Sequence, residues 1–210
     1  MGFDDFISLM NHPIERPVCV SGGAIGSDTL FGVLAEKHGH MVVHAAFRGH
    51  THTSDVGRNI MNVPDDKLQL VDQLVDQAAK ILGKRSIWNS SSYVINLIRR
   101  NAYQIMYTGS IYAIGELDYT GTMVQGGTGW AVEMYKILCQ RKGIAPQIFV
   151  LDKHTLQWYS FVYGSFYPMD ESEIPTPTGI YTGIGTRKLP RRAAVKMHNF
   201  YKERNNETVS

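Results

Sequence analysis

Apolar residues along this chain fall into short runs, separated by glycine turns and by stretches with helical spacing. Residues 17–28, PVCVSGGAIGSD, open on a β-rich apolar run and pass into a glycine-rich turn, after which Leu30, Phe31, Val33 and Leu34 recur at helical intervals. The pattern predicts strand, glycine loop, helix. Residues 41–47, MVVHAAF, have the make-up of a buried parallel strand, and the polar stretch RGHTHTSDVGRN that follows predicts an irregular loop with the chain emerging at a sheet edge. From Pro64 the stripe Leu68, Val71, Leu74, Val75, Ala78 and Leu82, opened by Asp65 and Asp66 and stopped by Gly83, predicts one helix. The Ser/Asn cluster at 89–92 caps a second, with Val94, Leu97, Ile98, Ala102 and Ile105 on its buried face and Arg99, Arg100 and Asn101 at or beyond the edge of that stripe.

An apolar run at 110–115, a loop with Asp118, and glycines giving way to Ala131, Met134, Tyr135 and Leu138 predict a second unit of strand or turn, glycine loop and helix. Residues 147–152 read as a further strand, 157–163 as an aromatic strand or edge ribbon, and 168–179 as a proline-rich loop. The last strand is expected at 180–185, before Thr186 and Arg187, and Pro190 opens a helix with Ala194, Met197, His198 and Tyr201 on one face. Strands alternating with helices imply an α/β, Rossmann-like three-layer domain: a mainly parallel sheet covered by helices on both faces, with ligands outside the carboxyl ends of its strands. The whole chain, 1–210, is read as one domain, the proline-rich loop being the weakest candidate boundary.

Composition narrows the function classes. Hydrophobic residues are 43% and charged residues 19% of 210, enough for a core without disulfides or metal and incompatible with a disordered chain. A balance of 21 Lys+Arg against 19 Asp+Glu gives a net charge of +2, without the basic surplus of a phosphate-backbone binder, so nucleic acid is not the expected partner. Cys19 and Cys139 are read as reduced, buried thiols. The acidic start and the lack of a long apolar run predict a soluble, cytoplasmic protein with no membrane association, in which the N-x-[ST] matches at Asn89 and Asn206 are fortuitous.

Glycine lets backbone approach a ligand, and the free N–H groups at the start of the following helix favour an anion. The segments SGGAIGSD (21–28) and QGGTGWAVE (125–133) are both built that way, and neither is a dinucleotide G-x-G-x-x-G or a Walker A sequence. The first offers Ser21, Gly22, Gly23, Gly26, Ser27 and Asp28, and the second Gly126, Gly127, Thr128, Gly129 and Trp130. Gly185, Thr186 and Arg187 close a third turn. Ser27 as N-cap and Asp28 as a first-turn residue explain those two equally well without a ligand. His44, His50, His52 and Asp55 invite a metal site, but the spacing lacks the regularity of known ligand sets, and no metal or cofactor is expected.

Taken together, SGGAIGSD after a strand, RRNAYQI on a helix, GGTGWAVE before a helix and TGIGTR after a strand resemble the SLOG superfamily of Rossmann-like nucleotide-binding proteins. That superfamily includes the DNA-processing protein A domain, the LOG phosphoribohydrolases, molybdenum-cofactor carrier-like proteins and sensor domains of antiphage systems. The similarity runs from about residue 17 to 201 and is greatest to uncharacterised, often phage-encoded members with S-G-G-A-x-G-[AS]-D, a [YV]-V-x-x-L-x-x-R-N helix and G-G-T-G. In many of them the G-I-G-[ST]-R strand precedes the S-G-G-A loop, whereas here residues 183–187 lie near the C-terminus, so the order looks circularly permuted.

The resemblance implies a nucleotide or nucleotide-derived ligand at the glycine loops, held through Arg99 or Arg100, Asn101 and Arg187, and a homo-oligomer. It also implies that Glu133, matching the glutamate of the LOG signature, could assist hydrolysis of an N-glycosidic bond. Trp130 and Gln125 depart from that signature, and a first-turn glutamate favoured by the helix dipole explains Glu133 as well. Trp130 is a candidate for stacking on a base. Three functions compete: a nucleotide binder with glycosidase activity, a non-catalytic sensor or sponge for a signalling nucleotide, of use to a phage against host defence, and a protein binding single-stranded DNA through RKLPRRAAVK.

Overall fold

The computed structural model describes residues 2–50, 59–84 and 87–206. Eight strands form one sheet in the order β3-β2-β1-β8-β4-β5-β6-β7. In chain order they are β1 (Val18–Ser21), β2 (Met41–Phe47), β3 (Asn59–Val63), β4 (Ser110–Gly115), β5 (Ile148–Asp152), β6 (Trp158–Val162), β7 (Ser165–Met169) and β8 (Ile180–Gly185). Every neighbouring pair from β3 to β5 in that order is parallel, and β6 and β7 add an antiparallel hairpin beside β5 at one edge. The expected mainly parallel α/β sheet is what forms, with two strands, β3 and β7, beyond those the pattern predicted.

Side chains alternate along the central strands, as a sheet with two covered faces requires. Val18 and Val20 of β1, Ile111 and Ala113 of β4, and Ile148 and Val150 of β5 join one hydrophobic core. Cys19, Tyr112, Ile114, Phe149, Leu151 and Tyr181 point into the other. Helices α2 (Ser27–Lys37) and α7 (Arg191–Asn206) cover the second face through Phe31, Leu34, Ala193, Met197 and Phe200. The first face is covered by α4 (Asp72–Ile81), α5 (Ser92–Ile105) and α6 (Gly126–Lys142), which follow the short helices α1 (Phe3–Met10) and α3 (Asp65–Leu68) along the chain.

Several local expectations are corrected. The helix predicted from Pro64 to Gly83 is broken: a 3-10 turn at Gln69–Val71 separates α3 from α4, although the buried stripe through Leu68, Val71, Leu74, Val75 and Ala78 is kept. Val94 is exposed rather than buried, and on α7 the buried residues are Ala193, Met197, Phe200 and Tyr201, with His198 exposed. The N-terminal segment forms α1, whose Phe3 and Phe6 rings meet Tyr103 and Tyr107 of the α5 end edge-on at 5.6 and 5.8 Å. Both cysteines are free and buried, and burial pushes the Cys19 thiol to about 12. No described helix is long and apolar enough to cross a membrane.

Candidate functional site

The chain leaves β1 toward α2 on one face of the sheet and leaves β4 toward α6 on the other, so the carboxyl ends between them must splay apart. Strand β8 lies in that gap, paired to β1 through Ser21↔Gly183 and to β4 through Ile114↔Gly185. Above the three strand ends opens a cleft of about 670 Å³. Its floor is Gly115, Ile184 and Gly185; one wall is the start of α6 and the other the first half of α5.

Arg100 is the central cation of this cleft and is only 3% exposed. Its Nη1 donates to Gln104 Oε1 at 2.6 Å and lies 3.8 Å from Asp28 Oδ2. Gln104 is itself fixed: its Nε2 donates to the Gly183 carbonyl at 3.2 Å, and its own carbonyl accepts from Thr182 Oγ1 at 2.7 Å. The buried Nε of Arg100 has no hydrogen-bond partner. Nε and Nη2 form the edge of a guanidinium that grips two oxygens of one carboxylate or phosphate. Burial depresses the Arg100 pKa, and Asp28 pulls it back up.

Asp28 ties the glycine loops together. Its Oδ1 accepts from Gly185 N at 3.1 Å, and Gly22 N donates to the same carboxylate. Burial raises Asp28 to about 6 against the opposing pull of Arg100 and these two N–H groups. Gly22 is obligatory here for lack of room, since a Cβ would stand 1.9 Å from Arg100 Nη1 and 2.3 Å from Asp28 Oδ2. Gly26 needs its conformation as well as its size: φ is +99°, and a Cβ would fall 2.5 Å from the Arg187 carbonyl oxygen. Ser27 binds the same partner loop, donating to Thr186 O from Oγ at 2.9 Å, while Gly26 takes the N-cap position expected for Ser27. Ser21 Oγ donates to the Asp28 carbonyl at 2.8 Å. Ser21, Gly22 and Gly23 are buried and support the cleft from below.

The start of α6 is different. Gly126 and Gly127 are exposed in the cleft wall, a Cβ on either would meet nothing within 4 Å, and the N-cap Gln125 makes no side-chain capping bond. First-turn N–H groups have no partner within a helix, so this uncapped turn offers its donors to the cleft. Thr128 lines the cleft beside them, as do Asn101, Thr186 and the exposed Arg187. Lys153 is also in the lining but is bound to Glu116 at 2.8 Å, and that contact holds the Glu116 carboxyl below its ordinary range.

Other candidates lie away from the cleft lining. Arg99 forms a two-point pair with Asp72, both bonds 2.7 Å, and sits over the Trp88 ring. Gly129 is packed so that a Cβ would be 1.9 Å from the Val124 carbonyl oxygen, and Trp130 belongs to the hydrophobic core. Glu133 is 2% exposed and accepts from Lys136 Nζ at 2.7 Å. Lys136 in turn lies 4.0 Å from the Phe161 ring centroid, under the β6–β7 hairpin. His44 is buried in β2 and His50 stacks on Phe47, while His52 and Asp55 lie outside the described residues. Among the described residues no group of three or more His, Cys, Asp or Glu could hold a metal ion.

Gln104, Tyr93, Glu116 and Lys153 belong to this neighbourhood but were not among the site residues expected from sequence, although Tyr93 stands at the first position of the [YV]-V-x-x-L-x-x-R-N motif. Gln104 lies four residues beyond Arg100, on the same helical face, and that spacing was the available signal. Comparison with protein-family models, with curated proteins and with solved structures gives no match.

Proposed function

We propose that the cleft binds a nucleotide or nucleotide-derived small molecule, with a phosphate between the first turn of α6 and the free edge of Arg100. The observation that carries this reading is the pairing of two unmet donor sets in one cleft: the buried, unpartnered Arg100 Nε and the uncapped, glycine-lined turn at Gly126 and Gly127. Leaving a buried polar group unsatisfied costs about 1 to 3 kcal/mol, which an anionic ligand would recover. Arg187 supplies a second charge at the rim, and Asn101 an amide for sugar or base.

The SLOG resemblance fits this reading. A strand carrying G-I-G-T-R belongs beside the S-G-G-A strand whichever end of the chain encodes it, and β8 does pair with β1. Of the functions weighed from sequence, non-catalytic binding is favoured over glycoside hydrolysis, because Glu133 is engaged by Lys136 outside the cleft lining.

The substitution Gly127→Ala tests the site with little risk to folding, since its Cβ meets open space and alanine favours a helix by about 1 kcal/mol. We expect unchanged or higher thermal stability together with at least a tenfold loss of nucleotide affinity by calorimetry. Equal affinity in wild type and variant would remove α6 from the site. Incubation with nucleoside phosphates followed by heat release and mass analysis should return the ligand intact; free base with ribose phosphate would instead restore the hydrolase reading.

A further inference from the structure

The cleft has a second end that the phosphate reading leaves unused. Tyr93 and Val94, in the first turn of α5, are 39% and 42% exposed although they follow a well-formed cap in which Ser91 Oγ accepts from Val94 N at 3.4 Å. Both line the cleft with Leu97 and with Ala24 of the first glycine loop. The Tyr93 ring is propped from behind by Phe47, at 5.6 Å and 59° between planes, and Phe47 is stacked at 5.1 Å on His50. Tyr93 is therefore an exposed ring held in place.

Tyr93, Leu97, Arg100 and Asn101 follow one another at helical spacing on the cleft side of α5. Seven residues of helix separate Tyr93 from Arg100, a rise of about 10 Å. That is the reach of a nucleoside monophosphate from its phosphate to the far side of its base. One face of a single helix thus presents an apolar, aromatic platform and a phosphate fork at matched separation.

We propose that Tyr93, flanked by Val94 and Leu97, is the platform on which the base of the ligand stacks, so that the cleft selects nucleotides over sugar phosphates. This rests on the phosphate reading above and adds the residue that makes the ligand a nucleotide. Stacking tolerates any base, because each has a π-face.

Calorimetric titration of AMP, CMP and ribose 5-phosphate into wild type, Tyr93→Phe and Tyr93→Leu separates the two ideas. Leucine keeps the apolar contact with Phe47, and melting curves check that both variants fold. AMP should bind wild type at least about tenfold more tightly than ribose 5-phosphate. Tyr93→Leu should erase that advantage and leave ribose 5-phosphate binding unchanged, while Tyr93→Phe preserves it. Equal binding of AMP and ribose 5-phosphate to wild type, or an equal loss of both in Tyr93→Leu, overturns the platform but spares the phosphate site. If neither compound nor CMP binds wild type, the phosphate reading fails and the platform with it.

Discussion

Asp28 is a carboxylate placed where a charge is costly and then surrounded by what makes the charge tolerable. Its raised pKa fixes the sign of a pH effect. A carboxyl that titrates near 6 when folded and 3.8 when unfolded binds protons more tightly in the folded state, so its contribution to stability falls as pH rises between those values. The full difference is roughly 3 kcal/mol. Urea unfolding across this range should show wild type losing that stability relative to Asp28→Asn as pH increases; a constant difference between the two would remove Asp28 as the cause. An anion bound at Arg100 would raise the Asp28 pKa further, so nucleotide binding near pH 6 should take up protons. Glu133→Gln tests the other buried carboxylate. It leaves Lys136 with a weaker partner, and we expect a loss of about 1 to 3 kcal/mol in stability with nucleotide affinity unchanged.

The sequence left Arg99 and Arg100 undecided for a physical reason. Neighbouring helix residues point about 100° apart, and the partners that divide them, Asp72 for one and Asp28 for the other, lie on different elements far along the chain.

At the scale of elements, glycine turns and apolar runs made most of the sheet legible, and β4 and β8 fall at the residues expected for them. The strands that went unrecognised are the two edges. β3, NIMNV, is short and half polar, and β7 contains Pro168, which argues against a strand unless it lies at an edge. That proline has a use. The outward N–H of Phe166 donates to the Gly121 carbonyl at 2.7 Å, and Pro168, two residues on along the same side, has no N–H to offer. Together they deny an incoming strand its donors. Pro168→Val should fold normally yet show concentration-dependent association by light scattering, and a variant that stays as dispersed as wild type would show that the edge is protected by other means.

At the scale of the molecule, the cleft is lined from five separate stretches of chain, around residues 24–28, 93–101, 115–128, at 153 and at 184–187, so segments far apart in sequence meet in one small volume. Which segments carried candidate chemistry was readable; that Trp130 and Glu133 turn into the interior was not, because a helix buried on most sides has no polar face to betray its orientation. The middle of the sheet is filled by its last strand, β8, between β1 and β4. During synthesis the ribosome therefore delivers both flanking strands long before the one that joins them, and a nascent chain stopped at residue 179 lacks the strand that pairs with both β1 and β4. On the proposed reading of the cleft, a ligand would protect from proteolysis only a chain that has already received β8, because Gly185, Thr186 and Arg187 line its site.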